Sequence, residues 1–147
     1  MEITTETQRA IITGERIRLP RVLLAEREKE MRDILVPLLF RDGFDCREAD
    51  DGRPAIDLLA SGLRINLVLS CLLMPVVDGY TLLLHVKRHH PQIPFIFVTA
   101  INDARIRETV MQGGADDYLI KPFTWEQLLT TIRKVLGRTR ERGTSWR

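Results

Sequence analysis

Short apolar runs alternate with amphipathic stretches from Arg21 onward. The runs RVLLAE, NLVLSC and PFIFVTA are almost wholly aliphatic or aromatic, which is typical of strands covered on both faces. Between them, apolar residues recur at the spacing of one helix face. The first such set is Met31, Ile34, Leu35, Leu38 and Leu39. Strands that alternate with helices in this way predict an α/β protein with a parallel sheet and helices on both of its faces.

Five strand and helix pairs can be counted. The segment GFDCREADDG is more charged and predicts an edge strand, and YLI predicts a short fifth strand. Asn102 or Asp103 is predicted to cap the fourth helix, which Gly113 and Gly114 end. Thr124 is the predicted N-cap of the last helix, whose inner face carries regularly spaced apolar residues.

Length and composition favour one compact domain with two short flanks. The 147 residues are 44% hydrophobic, and no apolar run approaches the roughly 18 residues that a membrane helix needs. The two cysteines, Cys46 and Cys71, suit a reducing compartment, so we expect a cytoplasmic protein without a membrane partner. We expect an N-terminal arm over residues 1–19, the domain over 20–138 and a basic tail over 139–147. The net charge of +2 makes nucleic acid an unlikely partner, despite this tail.

Candidate chemistry is expected where the strands end. In an open α/β sheet, ligands bind outside the carboxyl ends of the strands, where the strand order reverses. At those ends of strands one, three, four and five the sequence reads Glu26-Arg27, Ser70-Cys71, Thr99-Ala100 and Lys121-Pro122.

Four motifs at these ends carry a resemblance. The segments VLLAERE, LVLSCLLMPVVDG, FVTA and GGADDYLIKPF resemble the receiver family of bacterial response regulators over roughly residues 20–138. The resemblance implies a flavodoxin-like (βα)5 three-layer sandwich, with a parallel five-stranded sheet in the order 2-1-3-4-5. It also implies a role in two-component signal transduction or a phosphorelay.

The resemblance also implies a definite chemistry for ordinary members. An Asp at the end of strand three accepts a phosphoryl group while an acidic pair on strand one helps to hold magnesium. A hydroxyl at the position of Thr99 and the ammonium of Lys121 contact the phosphoryl oxygens, and the aromatic side chain at Tyr118 moves inward. Helix four, strand five and helix five then form the face that binds a protein partner.

This sequence departs from that pattern at two positions. Cys71 stands where the phosphoacceptor Asp belongs, and Arg27 stands beside Glu26 in the place of the acidic pair. A thiol is a poor magnesium ligand, and Glu26, Arg27 and Lys121 together are positive where the usual site is negative. We therefore predict an atypical receiver with no catalytic residue, no metal and no cofactor. It would be a phosphorylation-independent pseudo-receiver, not an enzyme, and would act through protein contacts.

Several alternatives remain open. Arg27 and Lys121 could lower the pKa of Cys71 and make this domain a thiol-based redox sensor. A working phosphoacceptor in a phosphorelay is the second alternative. Arg27 could instead pair with Glu26 or with a neighbouring carboxylate. The partner at the helix-four, strand-five, helix-five face could be a sensor kinase, a downstream effector or a second copy of the chain in a homodimer.

Overall fold

Five parallel strands form one sheet in the order β2-β1-β3-β4-β5. The computed structural model describes residues 18–141, with side chains described as far as residue 139. The strands are β1 (Arg21–Ala25), β2 (Asp45–Ala49), β3 (Leu67–Ser70), β4 (Phe95–Thr99) and β5 (Asp117–Ile120). The flavodoxin-like topology that the sequence predicts is confirmed.

Helices cover both faces of this sheet. They are α1 (Lys29–Arg41), α2 (Gly52–Ala60), α3 (Gly79–His89), α4 (Ala104–Gln112) and α5 (Trp125–Glu141). Helices α1 and α5 share one buried cluster with the sheet, and α2, α3 and α4 share a second cluster on the opposite face. The fold therefore has three layers, with a hydrophobic core on each side of the sheet.

Side chains of β1 alternate between the two cores. Leu23 and Ala25 belong to the cluster under α2, α3 and α4, whereas Val22 and Leu24 belong to the cluster under α1 and α5. This alternation follows from the period of two along a strand. A strand buried on both faces must therefore be apolar at every position, which accounts for the continuous run in the sequence.

Local side-chain caps set where helices α4 and α5 begin. The carboxylate of Asp103 accepts hydrogen bonds from the backbone N–H groups of Arg105 at 2.8 Å and Ile106 at 3.2 Å, so it caps α4 rather than Asn102. The hydroxyl of Thr124 accepts from the N–H of Gln127 at 3.1 Å, while the Gln127 amide oxygen accepts from the N–H of Thr124 at 2.9 Å. This reciprocal pair is a capping box, as predicted for the last helix.

The predicted domain boundaries fall close to the limits of the described residues. Helix α5 continues to Glu141, so the boundary expected at residue 138 lies within a helix. Residues 1–17 of the predicted arm and 142–147 of the predicted tail lie outside the described residues. Within residues 18–141, no helix combines the length and apolar character needed to cross a membrane.

Candidate functional site

The sheet register brings four of the predicted site residues to one edge. Ala25 is paired with Ser70, and Thr99 is paired with Ile120, so the strands end at the same level. Glu26, Cys71 and Lys121 directly follow the ends of β1, β3 and β5. The backbone N–H of Lys121 donates to the carbonyl of Thr99 at 2.8 Å. These predicted residues therefore lie together at the carboxyl edge of the sheet.

A buried ion pair joins the two ends of this site. The side-chain nitrogen Nζ of Lys121 lies 2.6 Å from Oε1 of Glu26. The Glu26 side chain is fully buried, and the Lys121 side chain is 14% exposed. The other Glu26 oxygen accepts a hydrogen bond from the backbone N–H of Glu28 at 3.0 Å. Both oxygens of the carboxylate are thus engaged by groups of the protein itself.

Arg27 lies on the outside of the site. It is exposed, whereas the preceding Glu26 is buried, as expected for successive residues that leave a strand on opposite sides. The hypothesis that Arg27 pairs with Glu26 is wrong, because Lys121 forms that ion pair. Sequence reasoning missed this contact between residues 95 positions apart. One signal could have indicated this ion pair. With Arg27 at the second acidic position, Glu26 is the only carboxylate of that pair left to face Lys121.

Cys71 occupies the phosphoacceptor position as a buried thiol. It is 4% exposed, and its Sγ donates to the carbonyl of Leu73 at 3.4 Å. Burial raises the pKa of Cys71 to about 11, although a hydrogen bond from the backbone N–H of Arg27 and the charge of Lys121 oppose this shift. Loss of hydration therefore outweighs the charge of Lys121 in setting this pKa.

Thr99 and Tyr118 meet at the backbone of Ile101. The Thr99 hydroxyl accepts from the N–H of Ile101 at 3.2 Å, and the Tyr118 hydroxyl donates to the carbonyl of Ile101 at 2.6 Å. Tyr118 is 5% exposed, and its ring lies against Phe97 with centroids 6.1 Å apart. Burial, followed by the charge of Asp103, raises the pKa of the Tyr118 phenol. The aromatic side chain is thus turned inward and anchored, a contact that the sequence did not indicate.

Neighbouring polar residues of the site have structural partners. The Ser70 hydroxyl is buried and donates to the carbonyl of Cys71 at 2.7 Å, so it does not face the cleft. The Asp78 carboxylate accepts from the N–H of Thr81 at 2.8 Å and caps α3. Asp78 is therefore the turn residue that its position before Gly79 indicates.

Three histidines gather at the end of α3, away from this edge. The ring of His85 lies 4.5 Å from that of His89 and 6.1 Å from that of His90, centroid to centroid. Burial, with the nearby His89, lowers the pKa of His85. Throughout the part of the chain that the structure describes, no group of three or more His, Cys, Asp or Glu side chains could hold a metal ion.

Known proteins resemble this chain over most of its length. The chain is 37% identical over 121 residues to a probable transcriptional regulator ycf27 of Galdieria sulphuraria, covering 82% of the chain and 47% of the relative. It is 34% identical over 119 residues to the response regulator MprA of Mycolicibacterium vanbaalenii, covering 81% and 51%. The chain therefore spans about half the length of the curated relatives it matches.

Solved structures of receiver domains are similar to this chain as well. A signal receiver domain of an HD domain-containing protein from Pseudomonas fluorescens superposes with a TM-score of 0.78 at 30% identity, covering 84% of this chain and 99% of that one. A CheY-like receiver domain from Methanospirillum hungatei, at 22% identity, has the same fold, with a TM-score of 0.81 over 85% and 99% of the two chains. Residues 22–133 match the response regulator receiver domain family, and the chain belongs to that family.

Proposed function

We propose that this domain is a pseudo-receiver: it accepts no phosphoryl group and acts through protein contacts. The observation that carries the proposal is the buried ion pair between Glu26 and Lys121 beside a protonated Cys71. This pair uses the two charged groups that a phosphorylated receiver would direct toward metal and phosphate. At this edge of the sheet, a fixed ion pair stands where ordinary receivers carry out phosphoryl transfer.

The nucleophile of the ordinary reaction has no equivalent here. An acyl phosphate needs a carboxylate oxygen at the position of Cys71, and the residue presents sulfur. With a pKa raised to about 11, the thiol is protonated at neutral pH. It is also 4% exposed, so an incoming phosphodonor would have little access to it. These features argue against phosphorylation, and they argue equally against the redox alternative, because the thiolate is the reactive form.

The donor set also argues against magnesium. This hard cation prefers several oxygen ligands in octahedral geometry, usually including one or two carboxylates. Of the acidic-pair positions only Glu26 carries a carboxylate. One of its oxygens accepts a hydrogen bond from Lys121 and the other accepts one from the backbone N–H of Glu28. Arg27 adds a positive charge at the second position. The residues present therefore do not fit the ion, and we assign no step that depends on it.

The output surface is the face made by α4, β5 and α5. Tyr118 on β5 is held inward by its hydrogen bond to Ile101, and Thr99 binds the N–H of the same residue. Both side chains are therefore tied to the backbone of one loop residue, and we propose that the face keeps one conformation. The partner is then a protein that recognises this fixed surface, such as a kinase, an effector or a second copy of the chain.

A phosphoryl analogue tests the proposal directly. Amide shifts of the full chain are followed while beryllofluoride and magnesium are added, and we expect no saturable, magnesium-dependent change. The matched control is the double variant Arg27→Asp/Cys71→Asp, which restores both missing carboxylates and is expected to respond. A response of the unaltered chain would overturn the proposal. A silent but folded double variant would show that Arg27 and Cys71 are not the decisive residues, which also overturns it.

The output face is tested separately with Tyr118→Ala. A partner captured by the unaltered chain should be lost with this variant, because the ring no longer fills the space beside Phe97. Tyr118→Phe keeps the ring but removes the hydrogen bond to Ile101, so it separates packing from anchoring. Equal capture by all three proteins would place the output on another surface.

A further inference from the structure

A second cleft lies at the opposite, amino-terminal edge of the sheet. Arg21 and Asp45 are the first residues of β1 and β2, and Arg64 lies shortly before β3. With Arg18, Leu19 and Phe40 they line a cavity of about 500 Å³. This volume falls within the range of small-molecule sites in proteins. The cleft is separate from the carboxyl edge, so a ligand could bind here whether or not the carboxyl edge accepts phosphate.

Arginines dominate the described lining of the cleft. Three guanidinium groups and one carboxylate are found among its described residues, and Nε of Arg21 lies 2.6 Å from Oδ2 of Asp45. Burial, together with the positive charges of Arg21 and Arg18, lowers the pKa of Arg64. The three cations are therefore close enough to affect one another, and an anion placed among them would relieve their repulsion.

Two of these guanidinium groups are held in place by the backbone. Arg21 Nη1 donates to the carbonyl of Arg64 at 3.0 Å, and Arg64 Nη2 donates to the carbonyl of Leu19 at 3.1 Å. Arg64 Nη1 also donates to the side-chain oxygen of Asn66. A guanidinium carries five N–H donors, so the Arg21 bonds to Asp45 and Arg64 use only part of its capacity. Such fixed planes are suited to phosphate oxygens, which arginine binds in a bidentate manner.

Phe40 supplies a second kind of surface at the same cleft. Its side chain lies near the end of α1 and is 59% exposed, so the ring is open to a ligand in the cleft. Internal packing accounts for Arg21 and Arg64, but it does not require an exposed ring beside them. A flat ring of a ligand could stack on Phe40 while its phosphate meets the arginines.

We propose that this cleft binds a nucleotide, with the phosphate on the cluster of Arg18, Arg21 and Arg64 and the base against Phe40. A volume of about 500 Å³ matches a small molecule, whereas a peptide or a nucleic acid strand would need a longer groove. Binding occurs at the edge of the sheet opposite the predicted output residues Thr99, Tyr118 and Lys121. A ligand here would act as a small-molecule input to the domain.

Nuclear magnetic resonance of the full chain tests the proposal with AMP, GMP, adenosine and inorganic phosphate as probes. We expect saturable shifts of the amides of Leu19, Arg21, Phe40 and Asp45 with at least one nucleotide. That nucleotide should bind more tightly than phosphate alone, and adenosine should bind weakly because it lacks the charge. No saturable shift with either nucleotide would overturn the proposal, and so would equal affinity for phosphate, which would exclude a role for the ring.

Two pairs of variants identify the contacts. Phe40→Ala should raise the Kd at least about fivefold, since stacking of one base contributes about 1–3 kcal/mol. Its control is Ile34→Ala, because Ile34 lies on the same helix and is 58% exposed against 59% for Phe40. Arg18→Gln should weaken nucleotide binding, whereas Arg105→Gln removes an exposed arginine on α4 and should not. Equal effects within either pair would contradict the assigned site.

Discussion

At the scale of single residues, the pair formed by Glu26 and Lys121 combines high burial with opposite charge. Removing water from two charges is costly, and their attraction offsets that cost only when the geometry is good and the remaining polar atoms are satisfied. Here the contact is 2.6 Å, and the second carboxylate oxygen accepts from Glu28. The net attraction within the pair therefore adds little to the stability of the folded domain. Its main effect is that neither charge is left buried without a partner.

Lys121→Met should destabilise the domain by about 3 kcal/mol, because it leaves Glu26 buried without its cation. The free energy of unfolding in urea measures this effect. The double variant Glu26→Gln/Lys121→Met removes both charges, so it should lose less stability than Lys121→Met. A single variant as stable as the unaltered protein would show that Glu26 does not depend on this partner.

Val76 is a strained residue in the loop between β3 and α3. Its φ is 63°, a left-handed conformation that is costly for a β-branched residue, and its side chain is 87% exposed. Val76→Asn should therefore stabilise the domain by about 1 kcal/mol, because asparagine tolerates this conformation. Thermal and urea unfolding provide the measurement.

The control for Val76→Asn is Leu73→Asn in the same loop. Leu73 is 58% exposed and does not have a positive φ, so this change should alter stability by no more than about 0.5 kcal/mol. If both variants changed stability equally, the gain would come from surface polarity rather than from relief of backbone strain.

At the scale of elements, α3 begins in close contact with the end of β3. A Cβ on Gly79 would lie 2.9 Å from Cα of Leu72 and 2.9 Å from Cε1 of Phe97, and it would also collide with the carbonyl of Cys71. Two of these neighbours are backbone atoms, which cannot move without displacing the strand end. The glycine is therefore needed for the helix to approach the sheet, not for an unusual backbone angle.

Gly79→Ala should accordingly cost about 2–3 kcal/mol of unfolding free energy through overpacking. Gly137→Ala provides the matched control, because a Cβ at Gly137 within α5 would meet no atom within 4 Å. That control should stabilise the domain by up to about 1 kcal/mol, since alanine favours a helix interior over glycine. Chemical denaturation compares the two, and opposite signs are the expected result.

Element boundaries were predictable from the sequence where local chemistry sets them. Asp103 and Thr124 lie at helix starts because their side chains satisfy backbone N–H groups a few residues away. Helix α5 continues through Gly137 to Glu141, past the boundary expected at residue 138, so this glycine does not end the helix.

At the scale of the whole molecule, both thiols couple stability to alkaline pH. Burial raises the pKa of Cys71 to about 11 and that of Cys46 to about 12, above the ordinary value of 9.0. As pH rises above 9.0, the unfolded chain loses these protons before the folded one does. Stability that is fully present below that pH therefore falls as pH rises toward the folded pKa values.

We expect the free energy of unfolding to decrease from pH 9 to pH 11 by up to about 1.4 kcal/mol per pH unit for each thiol. Urea denaturation at several pH values measures this slope. In Cys46→Ala/Cys71→Ala the slope should become shallower, because two titrating groups are lost. An unchanged slope would show that other groups cause the loss of unfolding free energy at alkaline pH, and it would contradict the role of the two thiols.

The sequence by itself determined the sheet, its covering helices and the positions of Glu26, Cys71, Thr99 and Lys121 at one edge. These follow from the periods of two and 3.6 and from motif spacing, which are local properties of the chain. The departures at Arg27 and Cys71 were visible from the resemblance to the receiver family. The ion-pair partner of a charged residue could not be predicted in this way, because it depends on which distant side chains the fold brings together.

Only the tertiary structure decided that Lys121 pairs with Glu26, that Arg27 faces outward and that Tyr118 is anchored to Ile101. It also decided the pKa of Cys71, because the loss of hydration depends on the whole surrounding core and here exceeds the effect of the nearby cations. The cleft of Arg18, Arg21, Arg64 and Phe40 arises likewise from four separate places in the chain. Burial and long-range contacts are properties of the folded molecule, and no local pattern encodes them.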